Sequence, residues 1–172
     1  MKQHRPYQLA EYDPTWPQQF EVKKKLILEV LGQNVLDIYH IGSTSIPGMI
    51  AKPQIDIMVV VSDLQLVQDK TAEMTKHGFT PRGNYTGIGE EYFTEDDKNQ
   101  QRLSSIHVLP VGHPQIDEIL IFRNHLLNNK EDRELYISVK RDLYKKYADN
   151  YHEYDIGKKN IITEIKNRAH GK

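Results

Sequence analysis

Apolar residues recur at helix or strand spacing along most of the chain, and each change of spacing marks a new element. In residues 12–32, Trp16, Phe20 and Ile27 fall roughly on one helical face, and Gly32 ends the pattern. An aspartate and a proline precede the tryptophan, which is typical of a helix start. The segment therefore predicts a first helix with one apolar stripe that needs a packing partner.

Two short segments rich in β-branched residues follow this helix and predict strands. They cover residues 35–41 and 54–61, and the second is so continuously apolar that we expect it to be buried on both faces. Residues 62–78 start with Ser-Asp and end at a glycine, which predicts a helix crossing between strands in a βαβ-like core. Further strands are predicted at 79–85, 91–96 and 101–110. The glycine-rich stretch 83–91 is interpreted as a mobile loop, since it lacks the strand-then-helix setting of a dinucleotide fingerprint.

From Gly112 onward the pattern changes to helical spacing. Helices are predicted at 113–129, 131–150 and 151–170. In the second of these, Leu135, Val139 and Leu143 recur at four-residue steps and are expected to face the core. Strands first and helices last predict an α/β (α+β) fold with a mixed β-sheet, flanking helices and a C-terminal helical group. Residues 1–172 have the length of a single domain that can bury a core.

The composition argues against several classes of function. Lys and Arg number 23 against 24 Asp and Glu, so no overall basic field indicates nucleic acid or an anionic membrane, and an anion site must be local. The absence of cysteine removes disulfides, thiolate metal sites and cysteine nucleophiles. No run approaches the roughly 18 apolar residues of a membrane span and no apolar leader pattern is found, so a cytoplasmic protein is expected. The ten tyrosines are interpreted as amphipathic core edges rather than base-stacking platforms.

A small-residue turn and an aspartate lie close together between the first two predicted strands. Gly42, Ser43 and Thr44 follow the first strand directly, and small residues let a backbone approach an anion with its N–H groups. Lys52 adds a positive charge nearby. Asp56 lies in an otherwise apolar strand, where an ionised carboxylate is costly unless it is paired or bound to a metal. Together these residues predict a phosphate site with an adjacent carboxylate that could hold a divalent cation.

Residues 40–59, HIGSTSIPGMIAKPQIDIMV, resemble the signature of the GrpB family, a group assigned to the nucleotidyltransferase superfamily. The resemblance continues at YDPTWPQQFE, HVLPVGHP, IFRNHL, LYISVKRDLYKKY and YDIGKKNII. It thus covers almost the whole chain, and it implies the nucleotidyltransferase core fold.

The resemblance also implies roles for particular residues. In active members of the superfamily, a Gly-Ser turn holds the nucleotide phosphates, and an Asp-x-Asp pair with a third carboxylate from a later strand holds magnesium. Asp56 takes the first carboxylate position, but Met58 stands at the second, and a thioether does not bind this hard cation. His107 stands at the third position. Asp56 and His107 are therefore predicted to form a rearranged catalytic pair, either as ligands of Mg or Mn or with His107 as a general base.

Basic residues at other positions are predicted to close the site around phosphate. Arg123, Lys140 and Lys158 lie where the resemblance is strongest, and Arg102 begins the strand that carries the catalytic histidine. His40 precedes the turn, and two interpretations stay open for it: a group near the phosphate, or a histidine hydrogen-bonded within the core.

The function expected from this pattern is transfer of a nucleotidyl group from an NTP to a small-molecule acceptor. The alternative is a non-catalytic module on the same fold that binds a nucleotide or another phospho-ligand. Because family members resemble domains fused to dephospho-coenzyme A kinase, that ligand could be related to coenzyme A. The sequence leaves the acceptor, the nucleobase, the metal and the oligomeric state open.

Overall fold

A computed structural model of the protein describes residues 7–171. Its strands are β1 (Val35–Ile41), β2 (Ile55–Val61), β3 (Thr80–Gly83), β4 (Glu91–Asp96) and β5 (Arg102–Pro110). Its helices are α1 (Trp16–Leu31), α2 (Leu64–Asp69), α3 (Thr71–Lys76), α4 (Pro114–Asn128), α5 (Lys130–Lys146), α6 (Tyr151–Gly157) and α7 (Lys159–Ala169). A 3-10 turn, Ser43–Ser45, follows β1.

The strands form one mixed sheet in the order β1-β2-β5-β4-β3. The β2/β5 pair is parallel, and the other neighbouring pairs are antiparallel. The predicted crossover from β2 leads to β3, which runs parallel to β2, but β5 and β4 lie between them. The register places Asp56 opposite Ile41 on one side and Ser105 on the other.

The two faces of the sheet bury different residues, since side chains alternate along each strand. One face forms the larger core, in which Ile57 and Val59 of β2 and Ile106 of β5 pack with Trp16 and Phe20 of α1. The predicted stripe of the first helix therefore finds its partner on this face. Strand β2 is buried on both faces, as predicted, except at its aspartate.

The opposite face of the sheet is covered in part by α4. Met58 of β2 and Leu109 of β5 pack against Ile116, Ile119 and Leu120 of this helix. Farther along α4, Phe122 and Leu126 join a third cluster with residues of α5 and α7. The predicted apolar face of α4 thus links the sheet to the C-terminal helices.

Three helical predictions are wrong in detail. The segment 62–78 contains two short helices that meet at Lys70, and 151–170 contains two that meet at Lys158. In α5 the buried residues are Asp132, Tyr136 and Lys140, whereas the predicted core residue Leu135 is exposed. The four-residue period was correct, and Val139 packs against the C-terminal cluster, but the fully buried positions lie one residue farther along the helix than predicted. Tertiary partners for Asp132 and Lys140 outweigh the polarity of these residues.

A buried carboxylate joins three of the C-terminal helices. Asp132 of α5 accepts hydrogen bonds from His125 Nε2 of α4 (2.6 Å) and from Arg168 of α7. Asn129 Oδ1 accepts a hydrogen bond from the Asp132 backbone N–H at 2.9 Å, which caps α5. These contacts fix the relative positions of the helices that carry Arg123 and Lys140.

The predicted fold class, a mixed sheet with flanking helices and a C-terminal helical group, is confirmed. Within residues 7–171, no helix combines the length and apolar character that a membrane crossing requires.

We expect Asp132→Ala to lower the free energy of unfolding by about 1–3 kcal/mol, because it removes the acceptor for His125 and Arg168. The hydrogen bond from His125, with that from Arg168, lowers the pKa of Asp132. The stabilisation is therefore complete above the ordinary aspartate pKa of about 4 and is lost as the pH falls through the lower folded-state value. Urea titrations at several pH values test this against Asp142→Ala, an exposed aspartate on the same helix. Equal losses for both variants would contradict the prediction.

Candidate functional site

A cavity of about 420 Å³ lies between the sheet and the C-terminal helices. The turn after β1 forms one wall and polar residues of β2, β4 and β5 form the floor. Residues of α4, α5, α6 and α7, together with Lys158 between the last two, close the remaining sides. The cavity therefore brings residues of the stretch 42–56 together with residues of four segments quoted above, HVLPVGHP, IFRNHL, LYISVKRDLYKKY and YDIGKKNII.

The Gly-Ser turn lies at the cavity wall in a constrained conformation. Gly42 has φ +69° and ψ −174°, a region that essentially only glycine occupies. Ser45 reinforces the turn, since its hydroxyl donates to the Gly42 carbonyl at 2.6 Å. The first N–H groups of such a turn have no acceptor within it, and Gly42, Ser43 and Thr44 all line the cavity. The turn is thus in the predicted position for binding an anion.

Gly42 is also required by its neighbour Asp56. A Cβ atom on Gly42 would lie 2.5 Å from Asp56 Oδ2, so the carboxyl group contacts the backbone of the turn. Gln54 Nε2 donates to Asp56 Oδ1 at 2.5 Å. Burial raises the pKa of Asp56, while the hydrogen bond from Gln54 and the charge of Lys52 act in the opposite direction. Asp56 and the turn therefore form a single unit of the site.

His40 and Thr44 hold the turn from within the fold. The Thr44 hydroxyl donates to the Gln54 carbonyl at 3.1 Å, so it accepts the hydrogen bond from His40 Nε2 at 2.9 Å. The His40 ring stacks on Phe20, with centroids 5.0 Å apart. Burial, with the nearby charge of Arg123, lowers the pKa of His40 to about 4. His40 is therefore a neutral core residue, and the Thr44 side chain supports the turn internally.

Five basic residues line the cavity. Four were predicted, namely Lys52, Arg123, Lys140 and Lys158, and Lys166 of α7 is the fifth. Lys166 was missed because a lysine on an amphipathic helix carries no distinguishing signal until the helix is packed. Arg123 Nε is buried and has no hydrogen-bond partner. This concentration of positive charge contrasts with the near-neutral balance of the whole chain.

Tyrosine rings support the lysines of the cavity. Lys52 Nζ lies 4.0 Å from the Tyr151 ring centroid, and Lys158 Nζ lies 4.8 Å from that of Tyr154. Lys158 also pairs with Asp155 at 3.0 Å. An aromatic face attracts a cation without supplying a neutralising charge, so the tyrosine rings position these ammonium groups without compensating their charge, whereas Asp155 offsets part of the charge of Lys158. The tyrosines thus do more than form the edge of the core.

Lys140 is the most buried of the basic residues, with 3% of its surface exposed. Its Nζ donates to Ser43 Oγ at 2.9 Å and to the Ile50 carbonyl. Burial, together with repulsion from Lys158 and Lys52, lowers the pKa of Lys140 to about 7. Lys140 therefore ties α5 to the Gly-Ser turn and is only partly charged near neutral pH.

His107 lines the cavity and is paired with Glu90, which the sequence did not single out. His107 Nδ1 lies 2.7 Å from Glu90 Oε2, and Thr86 donates to Glu90 Oε1 at 2.5 Å. Burial acts to raise the pKa of Glu90, but the hydrogen bonds from His107 and Thr86 lower it overall. Glu90 lies in the stretch 83–91, which was predicted to be a loop. An acidic residue directly before an apolar strand is a sequence signal that could have indicated a carboxylate with a buried partner.

Arg102 does not line the cavity. It pairs with Asp96, with Nε 2.5 Å from Oδ1, and its Nη1 donates to the Tyr92 hydroxyl at 3.3 Å. Tyr92 does line the cavity and donates to Ser105 Oγ at 2.9 Å. Arg102 is therefore connected to the site only through Tyr92.

The donor atoms do not fit the predicted Mg or Mn site. Met58, at the place of the second carboxylate, is fully buried under α4. His107 Nδ1 is paired with Glu90, which leaves Nε2 as the one ring nitrogen that could bind a metal. Among residues 7–171, no group of three or more His, Cys, Asp and Glu side chains is placed to hold a metal ion. A hard divalent cation, which requires several oxygen ligands, has only Asp56 at this position.

The sequence comparison places the chain in a known family. A family model described as GrpB protein matches residues 6–168. The chain belongs to the GrpB family. One relative, UPF0157 protein BH1888 of Halalkalibacterium halodurans, is 38% identical over 94% of this chain and 81% of its own length. The crystal structure of the conserved protein GrpB from Enterococcus faecalis is 30% identical, with a TM-score of 0.88 over 94% of this chain and 96% of that one.

Two more distant similarities are found, one to a solved polymerase structure and one to part of a kinase sequence. The poly(U) polymerase Cid1, in complex with its short product ApU, aligns with a TM-score of 0.55 at 12% identity, over 78% of this chain and 42% of Cid1. At this identity the likeness shows the nucleotidyltransferase fold alone. A dephospho-CoA kinase of Mycobacterium tuberculosis is 26% identical over 80% of this GrpB chain and 39% of its own length.

We expect Gly42→Ala to destabilise this GrpB protein more than Gly48→Ala. Both glycines have positive φ, +69° and +79°, and an alanine there costs about 1 kcal/mol or more. Only at Gly42 would the added Cβ collide, because Asp56 Oδ2 lies 2.5 Å away while nothing lies within 4 Å at Gly48. An additional loss of about 1–3 kcal/mol is expected for Gly42→Ala in urea unfolding. Equal losses would show that the Asp56 contact is unimportant.

We expect the stability of the wild-type protein to rise relative to Lys140→Met between about pH 7 and pH 9. The folded-state pKa of Lys140 is about 7, below the ordinary lysine value of about 10.4. Between these values the unfolded chain binds more protons, so the free energy of unfolding increases with pH. Methionine retains the volume and removes this dependence, whatever constant offset the lost hydrogen bonds introduce. Parallel pH profiles for the two proteins would contradict the assignment.

Proposed function

We propose that this GrpB protein binds a phosphorylated small molecule in the cavity without a divalent metal. The observation that carries the proposal is the convergence of five basic side chains on one cavity, among whose described lining residues Asp56 is the single acid. The Gly-Ser turn would receive a phosphate group through its N–H groups, and the lysines and Arg123 would bind the remaining phosphate oxygens.

The guanidinium of Arg123, which lines the cavity and is partly buried, supports a specific rather than a diffuse anion site. Within residues 7–171 its buried Nε has no hydrogen-bond partner, and a buried unpaired donor costs free energy. A phosphate oxygen would provide that partner and suits the planar fork of arginine. Arg123 therefore contributes both charge and geometry to binding.

The lysines supply the positive charge that magnesium supplies elsewhere on this fold. Lys52 and Lys158 have tyrosine faces beneath their ammonium groups, and Lys140 is held against Ser43. A polyanion placed among them would also reduce the mutual repulsion that lowers the pKa of Lys140. Several closely spaced cations favour a ligand with more than one phosphate charge, such as a nucleotide.

A coenzyme-A-related ligand falls within this class. The similarity to a dephospho-CoA kinase covers 80% of this chain but only 39% of the kinase. It supports inclusion of coenzyme A and dephospho-coenzyme A among the ligands to be tested. It does not by itself favour them over other phosphorylated molecules.

Nucleotidyl transfer to a small-molecule acceptor is the second candidate function, and the His107–Glu90 pair favours it. A histidine oriented by a carboxylate and lining the cavity could accept a proton from an acceptor hydroxyl. The two candidates differ in their need for metal, since transfer on this fold relies on a divalent cation to neutralise the phosphates.

Calorimetric titration tests the proposal directly. Pyrophosphate, ATP and coenzyme A would each be titrated into the protein in the presence of EDTA. We expect at least one of the two organic ligands to show saturable binding. Replacing Arg123 or Lys158 by methionine removes a charge-assisted contact and should weaken binding about 10- to 100-fold.

Matched controls distinguish the cavity from general surface charge. Lys159→Met and Arg141→Met remove exposed basic groups outside the cavity, so both should retain wild-type affinity. Binding that appears only with Mg or Mn would favour nucleotidyl transfer. No binding of any phosphorylated ligand would refute both functions.

A further inference from the structure

We propose that the floor of the cavity binds a hydroxyl group of the ligand, with Asp56 accepting its hydrogen and Ser105 donating to its oxygen. The ligand is then a phosphorylated polyol, either a free sugar phosphate or the ribose phosphate part of a nucleotide. The inference rests on the proposed function and specifies the ligand class of the same cavity.

The hydrogen bonds at the floor of the cavity occupy the acceptor positions of Ser105 and leave its hydroxyl hydrogen to donate. Its Oγ accepts from the Tyr92 hydroxyl at 2.9 Å and from Gln54 Nε2 at 3.0 Å. Because Arg102 Nη1 donates to the Tyr92 hydroxyl, the direction of that chain is fixed from Arg102 towards Ser105. A serine hydroxyl has two acceptor positions and one hydrogen. With both acceptor positions used, the Ser105 hydrogen points to a further acceptor, and Ser105 lines the cavity.

Asp56 presents the complementary group beside Ser105. The strand register places the two residues opposite each other, and Gln54 Nε2 bridges them by donating to Asp56 Oδ1 and to Ser105 Oγ. Asp56 Oδ2 is the oxygen that approaches Gly42. An ionised carboxylate only accepts hydrogen bonds, so without a metal its partner in the ligand must be a donor.

One acceptor and one donor side by side match an alcohol, which both donates and accepts. A phosphate oxygen does not match, since it would meet the carboxylate with like charge. The buried position adds discrimination, because a site built to bind a hydroxyl leaves polar groups unpaired when the hydroxyl is missing. The floor therefore selects for an uncharged hydroxyl, whereas the basic residues select for phosphate.

The contact between Asp56 and Gly42 sets the distance between the two selected groups. The floor adjoins the Gly-Ser turn and the basic residues, so a ligand whose phosphate is bound by the basic residues must carry the recognised hydroxyl only a few bonds away, on the side of Asp56. Sugar phosphates and the ribose of nucleotides have this arrangement. Pyrophosphate carries the phosphate charge but no alcohol hydroxyl. Its binding therefore reports on the basic residues alone and not on the floor of the cavity.

Ligand pairs that differ only in hydroxyl groups test the inference. The wild-type protein would be titrated in EDTA with ATP against 2′,3′-dideoxy-ATP, and with glycerol 3-phosphate against propyl phosphate. We expect the hydroxyl-bearing member of at least one pair to bind about 10- to 100-fold more tightly. A preference among the nucleotides alone assigns the ribose of a nucleotide, and a preference that extends to glycerol 3-phosphate assigns a free polyol phosphate.

Ser105→Ala and Asp56→Asn should each remove the preference. Neither should weaken pyrophosphate binding, and Asp56→Asn should strengthen it, because it removes a negative charge from the cavity. Ser104→Ala is the matched control, because Ser104 is equally buried on the same strand but bonds to Glu95 instead. It should keep the wild-type preference. Thermal melting would confirm that each variant is folded. If Asp56→Asn does not fold, Ser105→Ala alone tests the inference.

Pyrophosphate binding with no hydroxyl preference in the wild-type protein overturns this inference and leaves the proposed function intact. A preference that survives both Ser105→Ala and Asp56→Asn also overturns it, because the hydroxyl is then recognised elsewhere. Failure of pyrophosphate and of every phosphorylated pair to bind refutes the proposed function and this inference together.

Discussion

The contact between the buried carboxyl group of Asp56 and the backbone of Gly42 is the constraint on which the site depends. The antiparallel pairing of β1 with β2 places Ile41 opposite Asp56, so the turn that follows β1 lies directly over the carboxyl group. Only a residue without a side chain fits there, and the positive φ requires the same residue. From this point Ser43 reaches Lys140, which connects the turn to α5 and to the Ile50 carbonyl.

The C-terminal helices bring most of the positive charge to the cavity. They place Arg123, Lys140 and Lys166 around the cavity, and Lys158 lies where α6 ends and α7 begins. Burial, together with repulsion from Lys158 and Lys52, lowers the pKa of Lys140. Tyrosine rings contact Lys52 and Lys158, the Ile50 carbonyl accepts from Lys140, and Asp155 pairs with Lys158. The buried Asp132 holds three of the helices in place.

The fold is similar to that of Cid1, and within residues 7–171 no group of three or more His, Cys, Asp and Glu side chains is placed to hold a metal ion. Met58 takes the second carboxylate position and packs under α4 with Leu109, so this part of the sheet has become hydrophobic core. Glu90 supports His107 from the side, and its carboxylate engages that ring and Thr86. The fold therefore places the Gly-Ser turn against the carboxyl group of Asp56, and basic side chains line the same cavity.

The sequence by itself determined the strands, the first helix and the Gly-Ser turn, because local periodicity and small-residue turns depend on neighbours along the chain. It also indicated Asp56, since an acid within an apolar strand is costly unless it has a partner. Tertiary structure alone decided which face of α5 is buried, because the partners of Asp132 and Lys140 lie far along the chain. It likewise decided the roles of Glu90, Lys166 and Arg102, which depend on distances between elements that no local pattern encodes.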